Sequence, residues 1–221
     1  MNAGNVQQLD RLKVEHGVSA NDATHRFVLA AVLQVPVGRG RWIGRDMNRF
    51  LSGVIGGCGA SMVITRQRGQ PLAFSTVGTA NGLFLDGNQR PNILCNQLSS
   101  GISYHHAAEN GLNGTGNSSV FNINCFGYPG DEVPGDAPRY IATLRTDSIR
   151  NADVSFSKEF AIRESMKLQV RAEFFNFTNT IRFAPPNTSV STDPTNPGSF
   201  GTVTSSANSP RHAQFGSHFE F

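Results

Sequence analysis

In this 221-residue chain, three cysteines, six histidines and a few regularly spaced charges are the side chains best suited to chemistry. Cys58, Cys95 and Cys125 lie too far apart for the paired-cysteine spacing of a zinc site. Cys95 and Cys125 share one long polar segment, and two readings of them stand. They are independent thiols, or they form a loop disulfide in an oxidising compartment with Cys58 left over. His105 and His106 with Glu109 carry ligand atoms for a metal, against the plainer reading of loop polarity. His212 and His218 would lie about 20 Å apart on an extended strand at ~3.3 Å per residue, too far to share an ion. Neither a G-x-S-x-G elbow nor an H-E-x-x-H pair is present. The expectation is a chain that is not an enzyme and has no metal and no cofactor.

The other candidates recur at every second residue. Lys167, Gln169, Arg171 and Glu173 alternate with Leu168, Val170, Ala172 and Phe174. Asn151, Asp153, Ser155 and Ser157 alternate with Ala152, Val154 and Phe156. At the end of the chain, His212, Gln214, Gly216, His218 and Glu220 alternate with Ala213, Phe215, Ser217, Phe219 and Phe221. A period of two puts the sets on opposite faces of a strand. Arg171 and Glu173 then share one face, with Asp153 a candidate neighbour across a hairpin. The plain reading is a charge network on a wall; the sharper one is contact with a plug or a solute.

Two further runs complete the pattern. Cys58, Ala60, Met62 and Ile64 alternate with Gly59, Ser61, Val63 and Thr65, and Gly69 and Pro71 end that run. The first run, from Phe27 to Val35, is apolar on both faces and stops at Pro36. Five long strands are therefore expected, and the fold class is all-β. A turn or two of helix is expected around Trp42, Phe50, Leu51 and Val54. The connections alternate in length: residues 163–165 form a minimal turn, whereas 76–148 and 183–209 are long and rich in turn residues.

Composition narrows the classes. Charged residues are 16% of the chain, low against the ~25% typical of soluble domains. Lys and Arg are scattered, which argues against nucleic acid as a partner. No apolar run is long enough for a membrane helix, and Met1–Asn21 has no apolar signal core. Neither observation bears on strands that cross a membrane. Long and short connections in alternation suit an antiparallel transmembrane barrel, with short periplasmic turns and long extracellular loops. Aromatic residues near the ends of the apolar faces suit the membrane interfaces, and the polar face suits a wet lumen lined by Asp153, Arg171, Glu173, His212, Gln214, His218 and Glu220. Five strands are fewer than the ~8 of the smallest barrels. With the last strand descending to the periplasm, the first must start outside. The expectation is thus that residues 1–221 are the C-terminal part of a larger barrel.

Several segments then resemble a known family. His25–Leu29 with Val35–Gly40 resembles the HRFVL…LPFGKG segment of Oar-like TonB-dependent outer-membrane receptors, the acidobacterial type that often carries a carboxypeptidase-regulatory-like domain. Gly56–Cys58, Val63–Thr65 and Gly69–Leu72 resemble their GGW…TYQSGFPL strand. Arg171–Asn179 resembles RAEFFNVFN, and Phe200–Thr204 with Pro210–Phe215 resembles the closing FGxIT…PRxxQF segment. Cys58 stands where the family usually has Trp, and Arg66 where it usually has Tyr. The resemblance implies a barrel of about 22 strands that takes up an unidentified ligand using energy delivered by TonB. It implies that TonB would act through an N-terminal region upstream of this segment. Outer-membrane lipid would surround the wall, and barrel-assembly machinery would read the last strand through Phe215, Phe219 and Phe221. The implied location is the bacterial outer membrane. The alternative is a secreted or surface all-β binding or adhesion module without transport.

Overall fold

The computed structural model describes residues 7, 12–37, 42–48, 51, 53, 55–76, 89–113, 119–131, 133–163, 166–193, 195–196 and 198–221. In chain order the elements are α1 (Leu12–Glu15), β1 (Arg26–Gln34), β2 (Cys58–Gln67), β3 (Pro71–Leu72), β4 (Ser75–Thr76), β5 (Asn92–Ile93) and α2 (Tyr104–Asn113), followed by β6 (Phe126–Gly127), β7 (Ile141–Arg145), β8 (Ile149–Arg163), β9 (Met166–Phe175), β10 (Ser189–Val190) and β11 (His212–Glu220). They fall into two units. One holds Met1–Thr24, Arg68–Ser148 and Arg182–Ala207; the other holds His25–Gln67, Ile149–Ile181 and Asn208–Phe221.

The second unit is the expected set of five long strands, hydrogen-bonded in the order β1-β2-β8-β9-β11. Every pairing is antiparallel. Directly opposed residues share a face, so the register carries each strand's alternation across the whole sheet. Ala31, Met62, Val154, Phe174 and Ala213 form one apolar row. Leu33, Ala60, Phe156, Ala172 and Phe215 form the next. The other face carries Ser61, Ser155, Glu173 and Gln214 in one row and Gly59, Ser157, Arg171 and Gly216 in the neighbouring one. A one-residue slip would exchange the two faces, so the pattern itself pins the register. β8 extends beyond its clean alternation, to Arg163, where a register shift accompanies the turn into Met166.

The turn from β9 toward β11 depends on Asn176, a buried residue with φ +48°. Asparagine enters this left-handed region more readily than most residues. Its backbone N–H donates to Asp153 Oδ1 (2.9 Å), and its Nδ2 donates to the carbonyls of Thr180 (3.2 Å) and Ser209 (3.1 Å). Its Oδ1 accepts the Thr180 N–H (3.0 Å).

The first unit shows what the long connections build. Residues expected as connections at 76–148 and 183–209 contribute to a folded body with its own core. Leu72, Phe74, Phe121, Phe126, Ile141, Leu144, Val190, Phe200 and Val203 are buried together. Phe74 stacks on Phe126 at 4.9 Å between ring centroids and meets Phe121 edge-on at 4.9 Å. The polar composition of the segment hid this core, because its few large apolar residues follow no strand or helix period. Gly201, at φ +75°, lets the backbone pass against Ser119, where a Cβ would collide with the serine hydroxyl. Of the helical turn expected around Trp42, Phe50, Leu51 and Val54, Leu51 is helical, as are Gly53 and Ile55, whereas Trp42 lies in a bend; Phe50 and Val54 lie outside the described residues, as do Gly38–Gly40 and Glu164–Ser165.

Candidate functional site

The polar face of the five-stranded sheet is the candidate site. It forms because β2, β8, β9 and β11 each place small or polar residues at alternate positions, and the register aligns them. A cavity of about 380 Å³ opens on this sheet, its lining including Gln34, Ser61, Asp153, Ser155, Ser157, Arg171 and Glu173. The short residues Gly59, Ser61, Ser155 and Ser157 provide the hollow, and the charged residues flank it. Ser61 donates to Ser155 across the β2–β8 pair (3.2 Å). Arg171 Nη1 reaches Glu173 Oε1 at 3.5 Å along β9.

Register places Asp153 apart from that pair. Glu173 faces Ser155, Arg171 faces Ser157, and Asp153 lies one row beyond Glu173 on the same face. The Asp153 carboxylate is instead occupied by the Asn151 side chain (2.8 Å) and the Asn176 N–H (2.9 Å). It therefore acts on the turn beyond β9, and the cross-hairpin network with Arg171 is not formed. Gln214 is opposite Glu173, and His218 is opposite Gln169. Glu220 is opposite Lys167. His212 is opposite Phe175, and the two rings stack at 4.9 Å. All seven residues expected on the polar side share that face, spread over its length. The arrangement offers hydrogen bonds and charge to a polar surface or solute; it assembles no nucleophile and base. Phe215 and Phe219 occupy the opposite, apolar face, and Phe219 stacks on Phe221 at 6.3 Å.

In the first unit, Cys95 and Cys125 are joined as a disulfide with their Cα atoms 4.9 Å apart, and Cys58 in the sheet is a free thiol. The first turn of α2 turns the His105–His106–Glu109 spacing into a cluster. His105 Nδ1 and His106 Nδ1 both approach Glu109 Oε2, at 3.4 and 3.5 Å, on an exposed surface.

Other polar residues pin this unit, and alternation gave no sign of them. Arg90 pairs with Glu15, both buried, and its Nε donates to Gln7 (2.7 Å). Arg145 bridges to the Asp22 carboxylate (2.6 Å) and donates to the Gly69 carbonyl (3.0 Å). Tyr104 donates to the Arg145 carbonyl (2.5 Å), and burial together with the negative charge of Asp147 raises its pKa above the usual tyrosine value. Tyr128 is pushed up to about 12, chiefly by its hydrogen bond to Asp131. Apart from Tyr128 and Asp131, which are three residues apart, these partners are separated by tens of residues, so no local motif announces them.

No helix among the described residues is long and apolar enough to cross a membrane, which leaves strands that cross untouched. Neither a curated protein nor a solved structure matches the chain. A family model does match, over residues 1–214, and it describes an outer membrane beta barrel domain.

Proposed function

The chain belongs to the outer membrane beta barrel domain family and is located in the bacterial outer membrane, and from that premise we propose that it supplies wall and extracellular loops to a TonB-dependent receptor for energy-coupled uptake. The observation that carries the barrel part is the two-faced sheet. Its apolar face is open over much of its area: Phe215 is 74% exposed and Leu33 62%, and Phe27, Leu29, Phe156, Phe160 and Val170 also lie open. Leaving one such side chain in water forgoes about 1.5–3 kcal/mol, so a continuous face of them needs a lipid solvent. Lipid in turn requires every backbone polar group to be paired, which a closed ring of strands provides.

In this reading the polar face lines the lumen. The three segments of the first unit all join the sheet at the ends marked by Arg26, Gln67, Ile149 and His212, so those ends are extracellular. The motifs around His25–Gly40, Gly56–Leu72, Arg171–Asn179 and Phe200–Phe215 support the Oar-like type. Arg171 and Glu173 would then be part of the lumen wall offered to a polar substrate. Phe215, Phe219 and Phe221 are the residues offered to the assembly machinery. No bond-making chemistry is proposed.

Two measurements test this. Single cysteines carrying nitroxide labels are placed along β9 and β11 in the folded protein, in a Cys58→Ser background. Oxygen should reach the labels at 170, 172, 213 and 215, and a water-soluble nickel chelate those at 171, 173, 214 and 218. Loss of the period-two pattern would sink the barrel reading. The coding frame upstream of Met1 tests the TonB step: a plug domain with a TonB box supports it, and a stop codon with no receptor sequence before it removes it.

A further inference from the structure

We propose that His105, His106 and Glu109 form a binding site for one divalent transition-metal ion of the zinc class, on the surface of the first unit, the folded loop body. Helix α2 builds the site. Ser103 caps its first turn: the Ser103 carbonyl accepts the Ala107 N–H (2.9 Å), and its Oγ accepts the His106 N–H (3.3 Å). Ala107 and Ala108 are buried in the same cluster as Phe74 and Phe121, which fixes the rotation of the helix and leaves His105, His106 and Glu109 exposed. At about 100° per residue, Glu109 stands one turn further on and between the directions of the two histidines. One carboxylate oxygen, Oε2, therefore lies 3.4 Å from His105 Nδ1 and 3.5 Å from His106 Nδ1.

Both contacts are long for hydrogen bonds, whose usual range is about 2.7–3.2 Å, and both converge on one oxygen. The separations suit a metal's ligand shell better. With metal–ligand bonds of about 2.0–2.2 Å, the edge of a tetrahedron is roughly 3.3–3.6 Å. The two histidine–carboxylate edges are already at that length, and the ligand atoms of all three side chains lie within 4.8 Å of one another. The remaining edge, between the imidazoles, closes by rotation of the His106 side chain, which is 72% exposed. His105 is the better held of the two. Its ring meets Phe183 edge-on at 6.1 Å, and the Phe183 N–H donates to Asp147 Oδ2 (3.0 Å).

The donor set selects the ion. Two imidazoles and one carboxylate suit zinc, copper or nickel, whereas calcium and magnesium take shells made of oxygen. Three protein ligands leave a coordination position for water or for a donor atom of a second molecule. The N-terminal end of α2 carries the positive end of the helix dipole, and the Glu109 carboxylate supplies the opposing charge. All three ligands come from α2, so the site is independent of the sheet, its orientation and TonB.

The full-length protein, without a polyhistidine tag and in a Cys58→Ser background that removes the free thiol, is titrated with Zn²⁺ in detergent by calorimetry. His106→Ala and Glu109→Gln should each weaken the tightest equivalent by about tenfold or more, because the loss of even an outer-shell partner costs about 10–100-fold. His16→Gln, at another exposed histidine, should leave it unchanged. With Cu²⁺ as the probe, electron spin-echo modulation should count two coordinated imidazoles in the parent and one in His105→Ala or His106→Ala. The altered side chains are exposed, so circular dichroism should stay the same; if His106→Ala does not fold, Glu109→Gln decides. Zinc bound as tightly by Glu109→Gln as by the parent overturns the site. So does a parent that binds no zinc, or Ca²⁺ that displaces Zn²⁺ at equal concentration.

Discussion

Tyr104 is the residue through which the loop unit should feel alkaline pH. Its phenol is partly buried and donates to the Arg145 carbonyl, and Asp147 adds a nearby negative charge. Its folded pKa is therefore raised above the unfolded value of about 10. The stabilisation is complete below that unfolded value and is lost as pH rises through the folded pKa. A thermal melt of the folded protein should lose stability above about pH 10, and Tyr104→Phe should flatten that decline. An unchanged slope in the variant would move the cause elsewhere. Glu15 poses a second test. It is buried against Arg90, and removing one partner of a buried pair costs about 3–5 kcal/mol. Glu15→Gln should therefore expose the loop unit to limited proteolysis, while the β-sheet circular dichroism signal persists.

At the scale of elements, register is what makes five strands one object. The alternation of β8, β9 and β11 was legible in Asp153 to Ser157, Lys167 to Phe174 and His212 to Phe221. Which of those residues meet was not, because pairing is set by the turns. Asp153 shows this: alternation put it on the face of Arg171 and Glu173, and the turn at Asn176 took up its carboxylate. Asn176 combines a left-handed backbone with bonds to Thr180 and Ser209. Asn176→Ala removes the side-chain bonds and adds strain, so a loss of about 1–3 kcal/mol is expected, read as a lower urea midpoint for refolding into detergent micelles. An unchanged midpoint would show that the β9–β11 pairing holds without this turn.

At the scale of the whole molecule, the sheet and the loop body are stabilised by different solvents. The sheet leaves its apolar face open, so the protein should stay in the membrane pellet in alkaline carbonate and enter solution only with detergent; release by carbonate alone would favour a soluble adhesion module. The loop body has an aromatic core and the Cys95–Cys125 crosslink. Chain-entropy reasoning for a crosslink at a separation of 30 residues gives about 3–4 kcal/mol. Reduction should then lower the proteolytic resistance of residues 89–148 and leave the strand signal intact.

By itself the sequence determined the all-β class, the five strands, the two faces of four of them and the contrast between long and short connections. These follow from local rules: a period of two, with proline and glycine as terminators. Only the tertiary structure decided that residues expected as loops fold around Phe74, Phe121, Phe126 and Phe200. It also joined Cys95 to Cys125, tied Arg90 to Glu15, and placed Arg66 opposite Arg150. Those outcomes depend on contacts between residues far apart in the chain. Such contacts form only where the gain from burial and pairing exceeds the entropy of closing the intervening segment, and no local pattern encodes that balance.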